Sequence, residues 1–261
     1  MQKLKILLLA VLVLVLTSTS TGSVDALGLG SVSHPAEAPV LRHEDENQPP
    51  EAISDEADEA KVVYLTFADG PDPNWTPQIL QILDRYHARA TFYMIGRNAN
   101  SHPELTRMIA ERNQTIAVHG YNHLDLAHVD FQTFYLEVND TAEAILESLK
   151  EEPNLESQYG KCLRPPYGST SEYLYRNASE MDYAVSMWNI DTKDWQQLDP
   201  EEILNNVLKG LEPGKVILMH DGGQEREKTV LGLQLVLHEL IMRGYEVLPY
   251  CTNEGQAIQN P

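Results

Sequence analysis

Positive charge is scarce in this 261-residue chain: 19 Lys and Arg stand against 39 Asp and Glu, a formal net charge of −20. A phosphate backbone is held by clustered cations. The sequence has no Lys/Arg cluster, so no nucleic-acid partner is expected, and a neutral or cationic substrate suits its field better. Cysteine is nearly missing too, with only Cys162 and Cys251. In an oxidising compartment such a pair can bridge. The two sit on well-separated segments, however, and buried free thiols are the expectation, with a disulfide as the alternative.

Long apolar runs are also lacking. The run Ile6 to Leu16 is too short to cross a bilayer as a helix. Lys3 and Lys5 precede it, and the small polar stretch Thr17 to Ser23 follows, the layout of a secretory signal peptide over residues 1–26. No Cys near its end suggests a lipoprotein anchor. No Ala-x-Ala site is evident, so an uncleaved signal anchor is the alternative. A secreted or cell-envelope protein with no stable membrane span after cleavage is expected.

Residues 27–60 are rich in Pro, Ala, Glu and Asp and poor in large apolar side chains. Such a segment buries too little surface to offset chain entropy and reads as a disordered acidic linker. Residues 61–251 have the length of one domain with a substantial core, leaving 252–261 as a tail. Nothing in the pattern asks for a second copy, so a monomer is expected.

Within 61–251, short apolar runs alternate with amphipathic ones. Strands are predicted at Val62–Phe67, Ala90–Ile95, Thr115–Val118, Cys162–Arg164, Tyr183–Ile190, Val216–Met219 and Tyr245–Pro249. Helices are predicted at Thr76–His87, Pro103–Arg112, Phe131–Lys150, Glu172–Met181, Pro200–Lys209 and Glu227–Arg243. Asp199-Pro200 and Gly244 supply start and stop signals. The alternation predicts a parallel α/β fold, either a barrel or an open doubly wound sheet. Asp69, His119, Arg164, Asp191 with Asp194, and His220 all follow predicted strand ends. That is the rim where side chains converge in a parallel barrel, whereas an open sheet gathers its site at one switch point. The barrel is favoured.

His119 and His123 lie four apart on a predicted βα loop, and Asp69 closes another strand. Together they make a His₂Asp set that leaves a position open for water, the form of a catalytic metal site. Taken singly, the remaining features have ordinary readings: Pro165 to Gly168 as a turn, Trp195 as a core aromatic, Asp194 as the start of a helix.

Five segments taken in order carry more. Thr66-Phe-Ala-Asp-Gly-Pro71, His119-Gly-Tyr-Asn-His123, Arg164-Pro-Pro-Tyr-Gly168, Asp191-Thr-Lys-Asp-Trp195 and Leu218-Met-His-Asp221 resemble the motifs of the polysaccharide deacetylases. These are the family-4 carbohydrate esterases with the NodB-homology domain. The resemblance implies a distorted (β/α)₇ barrel, TIM-barrel-like, that removes acetyl groups from chitin-like or peptidoglycan glycans. It implies Asp69, His119 and His123 as ligands of a divalent metal, usually zinc, with cobalt or nickel as alternatives. It further implies His220 as general acid oriented by Asp194, and the Tyr167 N–H as oxyanion donor. Pro166, Trp195 and Leu218 would line the pocket.

One position departs from the pattern. The family places its general base just before the metal-binding Asp, and Arg164 would orient that carboxylate; here the residue is Ala68. Three readings follow: a deacetylase of greatly reduced turnover, one in which Asp72 or Asp221 substitutes, or a glycan-binding pseudoenzyme that keeps its metal site. An envelope structural protein is a further class, but it gives no reason for polar residues to gather at strand ends.

Overall fold

The computed structural model describes residues 61–251. The signal-peptide, linker and tail expectations lie outside the described residues. The strands are β1 (Val62–Ala68), β2 (Ala90–Met94), β3 (Thr115–Val118), β4 (Tyr159–Leu163), β5 (Ala184–Val185), β6 (Ile190–Asp191), β7 (Val216–His220) and β8 (Glu246–Leu248). The helices are α1 (Thr76–Tyr86), α2 (Gly96–Ser101), α3 (Pro103–Glu111), α4 (Phe131–Leu149), α5 (Glu172–Glu180), α6 (Pro200–Lys209) and α7 (Glu227–Met242). Local signals act as expected at several ends. Asp199 and Glu202 form a capping box at α6, and Gly244 takes φ 77° just beyond α7.

All pairings are parallel, in the order β5-β4-β3-β2-β1-β7-β6, with β8 on the first residues of β1. The two ends of this path belong to one stretch of chain, since only residues 186–189 separate β5 from β6. Seven flat strands would hold their edges about 29 Å apart, and five Cα steps reach at most about 18 Å. The sheet must therefore curl until its edges nearly meet, which gives the distorted α/β barrel.

This seam corrects the prediction of one strand over Tyr183–Ile190. The segment makes two short pairings, one to β4 and one to β7. Between them the backbone turns to Arg164, whose guanidinium takes the carbonyls of Ser186 and Met187. The polar helix α2 was not predicted at all, because Gly96 to Ser101 carries no apolar stripe.

Alternation along the strands separates two cores. Val63, Leu65 and Phe67 of β1 face the helices in the larger one. Ala68, Tyr93, Ala117, Cys162, Leu218 and Cys251 fill the barrel interior. The free-thiol expectation is overturned here: Cys162 and Cys251 form a disulfide. After β8 the chain turns into the barrel, where Tyr250 N–H donates to Thr91 Oγ1 at 3.0 Å, and this brings Cys251 to β4 despite 89 residues of separation. Among the described residues no helix is long and apolar enough to cross a membrane.

Candidate active site

Side chains at the C-terminal ends of β1, β3, β4, β6 and β7 meet around a cleft of about 550 Å³. Asp69 follows β1 with φ 75°, a left-handed conformation that Asp tolerates better than most residues. His119 follows β3 and His123 closes the loop after it, so the pair comes from a βα loop, as its Gly120 (φ 77°) suggested.

Asp69 Oδ1 lies 3.3 Å from His119 Nε2 and 3.2 Å from His123 Nε2. A tetrahedral zinc with ligands near 2.05 Å sets neighbouring donors about 3.3 Å apart, whereas a direct charged hydrogen bond is about 2.7–2.9 Å. The three donor atoms all lie within 4.8 Å of one another, so the set fits a divalent ion. His119 Nδ1 is 2.7 Å from the Arg164 carbonyl, which fixes the ring so that Nε2 faces the cluster. Burial opposes ionisation of Asp69, but the two imidazoles that face it outweigh burial and hold its carboxyl far below the usual range. Gly223 belongs to the same construction, because a Cβ there would stand 2.9 Å from Asp69 Oδ2.

Across the cleft, at the end of β7, His220 Nδ1 is 2.8 Å from Asp194 Oδ1, and its backbone N–H donates to Asp194 Oδ2 at 2.9 Å. Thr192 and Thr229 hydroxyls donate to the same carboxylate. Asp194 is buried, which works against its charge. The His220 hydrogen bond and the positive field of Arg226 nevertheless keep its pKa below the ordinary value. The arrangement can present a proton from imidazole to a group bound between it and the Asp69–His119–His123 set.

A buried His–Asp couple opposite a His₂Asp cluster at a barrel rim is an arrangement that can do hydrolytic chemistry, and comparison with known proteins decides its lineage. Residues 55–186 match the polysaccharide deacetylase family. A peptidoglycan-N-acetylglucosamine deacetylase of Bacillus cereus is 34% identical over 187 residues, covering 71% of this chain and 84% of the relative. The chain belongs to the polysaccharide deacetylase family. Among solved structures, the Bc1960 peptidoglycan N-acetylglucosamine deacetylase superposes with a TM-score of 0.67 at 31% identity, over 73% of this chain and 86% of that one. A mutant of a Bacillus anthracis pseudoenzyme of the same esterase family, described as having restored enzymatic activity, gives a TM-score of 0.66 at 27% identity, over 73% and 66%.

In this cleft most residues expected from the sequence come together. Ala68, Asp69, His119, His123, Arg164, Tyr167, Trp195, Leu218 and His220 all line it. Tyr167 adopts φ 62° at the lip, 72% exposed, with its ring 4.6 Å from that of His123. Trp195 is half-exposed, and its Nε1 donates to Asp191 Oδ2 at 3.4 Å.

Pro166 does not line the cleft; Pro165 does. Pro166 opens a single 3₁₀ turn that carries its ring inward, within 3.7 Å of where a Cβ on Gly120 would sit. Neither substitute base reaches the cleft either. Asp72 Oδ1 accepts from the N–H groups of Asn74 and Trp75. Asp221 is buried, with Gly70 N–H donating to Oδ1 at 3.1 Å and the Thr76 hydroxyl to Oδ2 at 2.7 Å.

Sequence reasoning missed Glu137, Trp188 and Arg226. Glu137, buried on α4, receives both the N–H and the side-chain amide of Asn122 and so braces the His119–His123 loop. Its signal was a carboxylate in an apolar stripe, since Phe134, Val138, Thr141 and Ile145 share that buried face. Trp188 and Arg226 line the cleft from the seam and from the start of α7; no local pattern marked either.

Proposed function

We propose that this protein is a metal-dependent deacetylase of N-acetylglucosamine-containing glycans, peptidoglycan or chitin oligomers, working outside the cytoplasm at strongly reduced turnover. The observation that carries the reading is the pairing of the Asp69–His119–His123 cluster with the Asp194–His220 couple across one cleft. Zinc, cobalt or nickel held by the cluster would supply Lewis acidity toward the acetyl oxygen and a more acidic water.

The chain's own residues take the other roles. His220 gives a proton to the departing sugar nitrogen, and Asp194 holds the ring for that transfer. The Tyr167 N–H donates to the oxygen that becomes negative. Trp195 and Leu218 form an apolar wall for the acetyl methyl. At Ala68 no side chain can accept a proton from the attacking water. General-base catalysis is worth about 10²–10⁴-fold, or roughly 3–5.5 kcal/mol, so turnover is crippled rather than abolished.

Ala68 also supports a second reading, a glycan-binding protein that retains the metal site without turning substrate over. The two separate in a paired assay: zinc binding and deacetylation of an N-acetylglucosamine oligomer by the parent protein and by Ala68→Asp. The enzyme reading expects zinc on both and a gain of at least about 10²-fold. No gain with zinc bound favours the binder, and failure of both to bind zinc defeats the metal site altogether.

A further inference from the structure

Arg164 is 1% exposed, and among the described residues no carboxylate forms an ion pair with it. Buried charges are ordinarily paired, because leaving water costs several kcal/mol per ion. Here neutral oxygens stand in. Nη1 donates to Thr66 Oγ1 at 2.8 Å, Nε to the Ser186 carbonyl at 3.3 Å, and Nη2 to the Met187 carbonyl at 3.3 Å. These bonds use three of the five guanidinium N–H groups. The plane also lies 4.0 Å over the Tyr93 ring. Burial pushes Arg164 down to about 10, still a cation at neutral pH.

The missing anion has an obvious place. Thr66 and Ala68 are two residues apart on β1 and face the same interior. The guanidinium that touches Thr66 is thus one inward step from the Ala68 methyl. Ala68 packs with Tyr93, the ring on which Arg164 stacks, and both Ala68 and Arg164 line the cleft. Cation and small side chain meet at the wall of the cleft.

We infer that the cleft wall between Ala68 and Arg164 is a binding site for a small monocarboxylate, such as formate or acetate. This site is separate from the Asp69–His119–His123 cluster. Its occupant supplies the negative charge that the chain omits beside a buried cation. It also stands where a proton acceptor would serve the proposed deacetylation, and only this second role rests on that reading. In that role the carboxylate gains the proton of the attacking water, whose oxygen bonds to the acetyl carbon. The C–N bond then breaks, His220 protonates the nitrogen, and the carboxylic acid returns its proton to solvent.

The test titrates ¹³C-formate into the zinc-loaded full chain, followed by NMR, for the parent, Ala68→Asp and Ala68→Asn. A ligand of three heavy atoms binds no tighter than about millimolar. Saturable binding to the parent is expected, weakened at least about tenfold in both variants, whose side chains occupy the place. Equal binding to parent and Ala68→Asp overturns the site, since the anion would then be on zinc. So does the absence of saturation at about 100 times that concentration. A second arm measures parent deacetylation with added formate, expected to rise at least about tenfold and to saturate with binding, while Ala68→Asp gains nothing. Binding without acceleration leaves the site standing and counts instead against the deacetylase reading.

Discussion

Ala68 on β1 and His220 on β7 are register partners, and the next residue, Asp221, donates its N–H to the Ala68 carbonyl at 3.0 Å. The position without a carboxylate therefore faces the imidazole across a single strand spacing, about 4.8 Å. On the proposed function, a base restored there and His220 as acid would flank one reacting bond. For Ala68→Asp the pH profile of kcat/KM should carry an acid limb, falling as the new carboxylate is protonated. The parent should lack the acid limb. Adding His220→Asn to Ala68→Asp should cost about 10²-fold. An Ala68→Asp profile identical in shape to the parent's would mean that the new carboxylate is not the base.

The Asp69–His119–His123 cluster is braced by a helix that contributes none of its three residues. Glu137 Oε2 accepts the Asn122 N–H at 2.8 Å and Oε1 the Asn122 amide at 2.7 Å, which fixes the loop between His119 and His123. Outer supports of this kind are worth about 10–100-fold in metal affinity. Glu137→Ala should lose that much zinc affinity in a chelator competition while keeping its far-ultraviolet spectrum, and His123→Ala should lose zinc binding outright. If Glu137→Ala competes for zinc as well as the parent, the loop is held by other contacts.

The difference between what was legible and what was not follows from the range of the interactions. Asp69, His119, Arg164 and His220 could be placed because each follows a short apolar run, and parallel strands carry their ends to one rim. The seam could not be read. Tyr183 to Ile190 has strand composition, yet its middle carbonyls turn to Arg164, a side chain from another strand. Pro166 was misplaced by one residue because a single 3₁₀ turn decides which of two adjacent prolines faces the cleft. The Cys162–Cys251 bridge was missed because proximity across 89 residues is a property of closure, which no local pattern encodes.

That bridge anchors the end of the described chain inside the barrel, beside Ala68 and Leu218. Closing 89 residues of separation restricts the unfolded chain by about 3–5 kcal/mol on the chain-entropy view. Cys162→Ser/Cys251→Ser should lose stability in that range in urea melts, with zinc affinity changed far less. A loss under about 1 kcal/mol would indicate that packing of the barrel interior already holds the segment in place.

Asp221 makes the pH dependence of stability separable from catalysis. Burial is the main cause that pushes its carboxyl up from 3.8 to about 7, with the Asp69 charge adding to it and the Thr76 hydrogen bond opposing it. The folded protein thus holds this proton more tightly than the unfolded chain does. Its contribution to stability is complete below about pH 4 and is lost as pH rises through about 7. At about 1.36 kcal/mol per unit, the loss is at most about 4 kcal/mol. Asn mimics the protonated form, offering an oxygen to Gly70 N–H and an amide to the Thr76 hydroxyl. Metal-free parent and Asp221→Asn should therefore diverge in urea melts between pH 4 and 7, the parent losing stability more steeply. Parallel curves would place the ionised carboxylate comfortably in its pocket, with the two hydrogen bonds outweighing desolvation.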